Sequence, residues 1–193
     1  MSMDTAREMF IHELGDIRDA EMKLETQLGK MEKKVTDETL RQLYEQHREE
    51  TKVHIERLDQ IYEGLGEKPK RQPCKGMSGL IEEFQTFVKE EKPDDALLDV
   101  YACSASIKVE HYEISAYEGQ IAMARKLGLE EAAKLLEETL QEERETLKKL
   151  EEAGQELLAQ LPVQEDEEAE EGEDDEGEEE EEEMAAPKKG RTK

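Results

Sequence analysis

The sequence predicts an all-α protein, an antiparallel four-helix bundle made of two helical hairpins that a long crossover connects. Apolar residues recur at intervals of three and four positions, which is the period of a helix buried on one face. Runs of β-branched residues are absent, and aromatic residues make up only 4% of the chain. Helix-starting and helix-ending residues divide the chain into four long helical stretches and one short stretch.

The first hairpin comprises the first two long stretches. The first helix is expected over residues 5–34. The break at Val35, Thr36 and Asp37 supplies N-cap residues for a second helix, which is expected to run to about Tyr62. Gly64 and Gly66 then provide a C-terminal stop.

The crossover between the hairpins is long enough to carry an element of its own. Pro69 and Pro73 mark its beginning as a loop. A single apolar stripe follows, which predicts a short fifth helix lying across the bundle. The stripe consists of Leu80, Ile81, Phe84, Phe87 and Val88.

The second hairpin begins after Pro93 and Asp94. Its first helix is expected over residues 95–127, with Gly128 as the stop, and its second over residues 129–161, before Pro162. This order of two hairpins with one crossover is the ferritin-like arrangement of a four-helix bundle.

Composition separates the bundle, residues 1–162, from a tail, residues 163–193. Between Glu165 and Glu183, 16 of 19 residues are acidic, so this stretch repels itself and has nothing apolar to bury. The tail is therefore expected to be disordered. It ends in a small basic tip, with Lys188, Lys189, Arg191 and Lys193.

The charge balance and hydropathy exclude several classes of protein. Residues 1–164 carry 37 acidic and 23 basic residues, which argues against nucleic-acid binding through the folded domain. Neither a signal peptide nor a membrane-spanning segment is visible. We therefore expect a cytoplasmic protein in which Cys74 and Cys103 are reduced thiols.

Four glutamates are placed so that they share one layer of the bundle. Glu21 and Glu50 are 29 residues apart, and so are Glu113 and Glu142, with a predicted turn at the midpoint of each pair. Each glutamate therefore lies about 22 Å from its turn, on an apolar stripe. Chance would explain one such residue, but four carboxylates in a dry layer lose hydration and repel one another. Protonation would relieve this, and a pair of divalent cations would do so better.

Further ligand candidates lie one turn from these glutamates. His47 precedes Glu50 by three positions and His54 follows it by four, so both imidazoles lie on the glutamate's face of the helix. Glu110 and Glu143 add carboxylates beside Glu113 and Glu142. Imidazole combined with carboxylate suits iron or manganese, with zinc as a third candidate.

Several segments resemble one family. HREETKVHIERL at 47–58, KVEHYEISAY at 108–117, LGLEEAAKLLEETLQEE at 127–143 and DAE at 19–21 are similar to the ferritin-like YciE/YciF family of bacterial stress proteins, over about residues 5–155. The resemblance implies a bundle with a short fifth helix, a homodimer, and a di-metal centre related in layout to that of rubrerythrin. Where ferritins and rubrerythrins usually carry a histidine three positions after the glutamate, this chain has Val53 and Glu145.

Two functions fit these observations. The first is a stress-response protein whose two divalent ions react with peroxide or oxygen. In this interpretation Glu50 and Glu142 bridge the ions, Glu21 and Glu113 are terminal ligands, and His47 supplies nitrogen. Tyr112 and Tyr117 are interpreted as core residues, with electron donation as the alternative. The second function is a non-enzymatic interaction or structural module with a metal-stabilised bundle.

Overall fold

The computed structural model describes residues 3–70 and 72–162, and every element within them is a helix. The all-α prediction is confirmed. The five helices are α1 (Ala6–Met31), α2 (Glu38–Gly64), α3 (Lys75–Glu91), α4 (Asp95–Lys126) and α5 (Glu130–Gln160).

The helix ends follow from local chemistry. Thr5 and Glu8 form a capping box at the start of α1, and Asp37 and Asp94 accept backbone N–H groups at the starts of α2 and α4. Gly128, between α4 and α5, has a φ of +72°, a conformation that glycine adopts without strain. The first helix ends at Met31, three residues before the predicted end, because the chain already turns back there.

The two hairpins pack side by side in an antiparallel bundle. α1 packs against α2, and α4 packs against α5, while α2 also contacts α5 and α1 also contacts α4. The short helix α3 lies against α1 and α4. Its predicted apolar stripe faces the bundle, where Phe84 is buried and Phe87 stacks on Tyr101 with ring centroids 3.7 Å apart.

The apolar core consists of two separate clusters along the bundle axis. One contains Phe10, Leu14 and Ile17 of α1 with Leu58 and Ile61 of α2. The other contains Leu24, Leu28 and Met31 of α1 with Leu40 and Tyr44 of α2.

The same division occurs on α4 and α5. Leu98 to Val109 of α4 and Leu150 to Leu157 of α5 belong to the second cluster, while Tyr117 to Ala124 and Ala132 to Leu140 belong to the first. On each of these four helices a short polar stretch therefore interrupts the core at the same height, and we call this level the polar layer.

Within the described residues, no helix is sufficiently long and apolar to cross a lipid bilayer. The bundle forms a compact unit that ends at Leu161, and a second unit begins at Pro162. The predicted tail, residues 163–193, lies outside the described residues, so its disorder stays a prediction.

Candidate metal centre

The polar layer is built by four of the five helices. α1 and α5 each supply one side chain, and α2 and α4 each supply two, spaced seven and three positions apart so that each pair lies on one helix face. All six side chains are almost inaccessible to solvent, with at most 2% of their surface exposed. They are Glu21, His47, His54, Glu110, Glu113 and Glu143.

These side chains form two overlapping groups, in each of which one potential ligand atom per residue lies within 4.8 Å of the others. The four-residue group contains His47, Glu110, Glu113 and Glu143. The three-residue group contains Glu21, His54 and Glu143. Glu143 belongs to both groups, so its carboxylate lies between them.

His47 lies between two carboxylates of the four-residue group. His47 Nδ1 lies 3.4 Å from Glu110 Oε1, and His47 Nε2 lies 3.3 Å from Glu143 Oε2. Because a ring binds one ion through one nitrogen, only one of these two carboxylates could share an ion with His47 through the nitrogen it faces, and the other would orient the ring.

His54 presents one nitrogen to the three-residue group and the other to the edge of the bundle. Its Nε2 lies 2.9 Å from Glu142 Oε2, while its Nδ1 lies 3.1 Å from Glu143 Oε1 and 3.6 Å from Glu21 Oε2. If neutral His54 donates Nε2–H to Glu142, Nδ1 carries a lone pair that points inward. A carboxylate that orients a histidine in this way is the usual partner of a metal-binding imidazole.

Arg57 holds Glu142 at the edge of the polar layer. Arg57 Nη2 donates to Glu142 Oε1 at 2.8 Å, and Arg57 Nη1 donates to Glu142 Oε2. The hydrogen bonds from Arg57 and His54 lower the pKa of Glu142 to about 2. Glu142 is 33% exposed, so it connects the buried histidine to solvent.

The polar layer contains an unusual number of buried atoms that have no hydrogen-bond partner. Nine such side-chain atoms occur in the described residues, and eight of them belong to the two groups. Both oxygens of Glu113 and both of Glu143 are among them, together with His47 Nε2 and His54 Nδ1. A buried polar atom without a partner destabilises a fold by roughly 1 to 3 kcal/mol, and more when it is charged. Bound cations would give these atoms the partners that they lack.

Burial and mutual repulsion shift the pKa values of the carboxylates in the polar layer. Burial, followed by the charge of Glu143, raises the pKa of Glu110 well above its usual value. Burial, followed by the charge of Glu21, raises the pKa of Glu113 in the same way. Burial acts to raise the pKa of Glu143 too, but the nearby imidazoles of His47 and His54, at 3.3 and 3.1 Å, outweigh burial and lower it.

Carboxylates of the polar layer also shift the pKa values of His54 and Tyr117. Burial alone would lower the pKa of His54, but the charge of Glu21 and hydrogen bonds with carboxylates outweigh it and raise this pKa. Tyr117 is fully buried and donates its hydroxyl to Glu21 Oε1. Burial and the charge of Glu21 raise the pKa of Tyr117, so the phenol stays protonated as a donor.

Six of the eight predicted ligands are thus brought together, and two are not. Glu50 is half-buried on the flank of α2, where it accepts hydrogen bonds from Gln46 at 2.7 Å and from Thr146 at 3.4 Å. Glu142 is half-buried and bound to Arg57. The expectation that these two carboxylates point inward is corrected by the structure.

The correction has a simple geometric cause. Neighbouring residues on a helix point about 100° apart, so only one of Glu142 and Glu143 can face the interior. On α2 the two histidines occupy the inward face, and Glu50 lies between them toward α5. The sequence analysis did not predict a role for Arg57. This residue follows His54 by three positions on α2, but the spacing alone does not show that its partner is Glu142 on α5.

Comparisons with known proteins support the fold and the family. The family described as "Domain of unknown function (DUF892)" matches residues 5–161. The chain is 41% identical to Protein YciF of Escherichia coli strain K12 over 147 aligned residues. The alignment covers 76% of this chain and 88% of that protein.

Three solved structures have the same fold as this chain. The crystal structure of the E. coli stress protein YciF matches with a TM-score of 0.78 and 38% identity, covering 82% of this chain and 100% of that one. YcfI of Rhodopseudomonas palustris matches with a TM-score of 0.75 and 36% identity, covering 78% and 95%. A protein of Xanthomonas campestris pv. campestris matches with a TM-score of 0.64 and 25% identity, covering 80% and 93%.

Proposed function

Because the chain belongs to the DUF892 family and is a relative of the stress protein YciF, as its sequence motifs predicted, we propose that it is a stress-response protein that holds two divalent metal ions in its polar layer. We further propose that this centre reacts with a small oxidant such as peroxide or oxygen. The observation that carries the proposal is the set of eight unpartnered, buried ligand-type atoms on six residues from four helices.

The two groups divide the ligands between two ions. The four-residue group would hold one ion through His47 and three carboxylates, and the three-residue group would hold the other through His54 and two carboxylates. Glu143 is the residue common to both, so it would contribute to both ions, the role that the sequence interpretation gave to Glu50 and Glu142. Tyr117 orients Glu21, and Glu142 orients His54.

Charge balance favours cations of this kind. Four carboxylates share the layer with two imidazoles, and burial, followed by the charges of neighbouring carboxylates, raises the pKa of Glu110 and of Glu113. Two divalent ions would allow all four carboxylates to ionise and would give the unpartnered atoms their partners. Mixed imidazole and carboxylate ligands favour iron or manganese, with zinc as a third candidate, over calcium and magnesium.

Bound iron or manganese would supply redox chemistry toward peroxide or oxygen, which zinc lacks. The protein's own contribution is enclosure and polarity. The six side chains are shielded from bulk water, which strengthens every electrostatic interaction in the layer. The partly exposed pair of Arg57 and Glu142 lies at the edge of this enclosure, so a small, polar oxidant is the substrate class that fits.

A cytoplasmic location is part of the proposal, since Cys74 and Cys103 are free thiols. The homodimer that the resemblance implies stays a prediction.

The decisive experiment compares two substitutions on α5. Glu143→Gln removes the shared carboxylate and keeps the shape of the side chain. Glu145→Gln is the control, because Glu145 is exposed and, among the described residues, its side chain accepts a hydrogen bond only from Gln141. Element-resolved mass spectrometry would count the metal ions in purified full-length protein, and circular dichroism would verify that each variant is helical. Peroxide consumption would be followed on the same samples.

We expect about two ions per chain in the wild type and in Glu145→Gln, and a loss of most of the bound metal in Glu143→Gln. Peroxide consumption should fall together with the metal content. A wild type that takes up no iron, manganese or zinc under reducing conditions, or a Glu143→Gln protein that keeps both ions, would contradict the proposal.

A metal-stabilised structural bundle is the second candidate. The observation in its favour is the burial of all six ligand candidates, which limits access by a substrate. Stoichiometric metal without any turnover of peroxide or oxygen would favour this function, whereas metal-dependent turnover would favour the first.

A further inference from the structure

A basic cavity lies between α1 and α3, on the surface of a strongly acidic protein. The cavity has a volume of about 490 Å³, within the range of small-molecule sites. Four lysines line it: Lys30 in the last turn of α1, Lys33 and Lys34 just after that helix, and Lys89 in the last turn of α3. No aspartate or glutamate is among the residues that line it.

The arrangement of these lysines distinguishes them, not their lack of ion pairs. Lys23, Lys52, Lys108 and Lys148 each form an ion pair with a carboxylate. Within the part of the chain that the structure describes, the four cavity lysines form no ion pair, and neither do others such as Lys75 and Lys134. What sets the four apart is that they line one concavity together, without a carboxylate in its lining.

Helix-dipole compensation explains only part of this arrangement. Basic residues are common in the last turn of a helix, where they interact favourably with its negative end. That accounts for Lys30 and Lys89, but it does not account for two further lysines beyond the helix or for an apolar concavity between them. Half-buried Val88 provides most of this apolar part of the lining, and the core residues Met31 and Phe84, each 5% exposed, provide the rest.

We propose that this cavity binds a small amphiphilic anion, with the charged head among the lysines and the apolar body against Met31, Phe84 and Val88. Lysine ammonium groups on flexible stems recognise charge more than shape, so the ligand class is set by an anionic head and an apolar body. The site is separate from the polar layer and does not depend on the proposed metal function.

Charge favours a small ligand over an acidic macromolecule. The chain carries a formal charge of −26, which repels an extended acidic partner from most of its surface. Exposed charges act over about 8 Å at physiological ionic strength. A ligand that fits inside the cavity lies within this distance of the lysines and does not extend over the acidic surface.

Isothermal titration calorimetry of the full-length protein with decanoate tests the proposal. Decyltrimethylammonium, with the same chain and the opposite charge, and acetate, with a carboxylate but no apolar body, are the matched probes. The test variant is Lys33→Glu combined with Lys34→Glu. The control is Lys148→Glu combined with Lys149→Glu, which makes the same change in net charge on α5.

We expect decanoate to bind with a Kd of about 1 mM or lower, and the two other probes to bind much more weakly. The cavity variant should lose about tenfold or more in affinity, and the control should stay close to the wild type. Circular dichroism would confirm that both variants are folded. Absence of decanoate binding, equal binding of the cationic probe, or equal loss in the two variants would overturn the proposal.

Discussion

His54 Nε2 lies 2.9 Å from Glu142 Oε2, while the other nitrogen of the same ring lies 3.1 Å from Glu143 Oε1. The imidazole therefore connects a half-buried carboxylate to a fully buried one. Two adjacent glutamates on α5 thus have different surroundings: Glu143 belongs to the two candidate metal groups, whereas Glu142 contacts the outer nitrogen of the histidine that faces them.

The substitution Glu142→Gln tests this division. An amide has one acceptor oxygen, so it cannot replace both the bonds to Arg57 and the bond to His54. We expect the protein to keep its metal but to bind it about 10- to 100-fold more weakly, as is usual when a residue that orients a ligand is changed. Competition with a chelator of known affinity measures this. Complete loss of metal, as expected for Glu143→Gln, would instead make Glu142 a direct ligand.

The metal-free protein should become less stable as the pH rises. The folded-state pKa values of Glu110 and Glu113 are raised above 4.5, so the folded state binds more protons than the unfolded state above that pH. His54, whose pKa is also raised, contributes stability that is present below pH 6.5 and is lost as the pH rises. Both effects lower the free energy of unfolding between about pH 5 and pH 8.

Metal should remove this dependence, because bound ions hold the carboxylates in their ionised form. The measurement is urea unfolding at about pH 5.5 and about pH 8, with a chelator and then with Mn²⁺. Glu142, with a pKa of about 2, stays ionised across this window and does not affect the comparison. A metal-free protein that gains stability toward pH 8 would refute the prediction.

Asp99 joins α4 to the turn of the first hairpin. This carboxylate is 3% exposed and accepts hydrogen bonds from the Thr36 hydroxyl at 2.7 Å, from Thr36 N at 2.9 Å and from Asp37 N at 2.8 Å. Asp99→Asn leaves fewer acceptors for these donors and should destabilise the fold by about 1 to 3 kcal/mol. Thermal unfolding should show a decrease in Tm of about 2 to 10 °C.

The control for this substitution is Glu56→Gln, at an exposed position in the middle of α2, which should change stability by less than about 0.5 kcal/mol. Metal content should be the same in both variants. An Asp99→Asn protein with the wild-type Tm would show that these hydrogen bonds contribute little.

Two glycines of α3 should respond in opposite directions to alanine. A Cβ on Gly76 would lie 2.6 Å from Tyr112 Cε2, and the Tyr112 hydroxyl lies 3.0 Å from Cys74 Sγ, so the ring would have to move. We expect Gly76→Ala to destabilise the protein by about 1 to 3 kcal/mol. Gly79 has no atom within 4 Å of that position, so Gly79→Ala should stabilise the helix by about 0.5 to 1 kcal/mol. Urea unfolding measures both, and shifts of the same sign would count against the packing argument.

The number and order of the helices could be predicted from the sequence because their signals are local. Asp37 and Asp94 cap helices, Gly128 supplies a turn conformation, and the apolar repeat marks which face is buried. The height of the polar layer was also predictable, since the distance of Glu21 and Glu113 from their turns follows from the rise per residue.

The rotation of each helix about its own axis was decided only by the tertiary structure. A shift of one residue turns a side chain by about 100°, so sequence spacing alone could not distinguish Glu142 from Glu143. Arg57, on another helix, binds Glu142 outside the layer, and the two histidines of α2 occupy the inward face in place of Glu50. The sequence by itself thus determined the elements and the level of the candidate centre, whereas packing between helices selected which side chains face it.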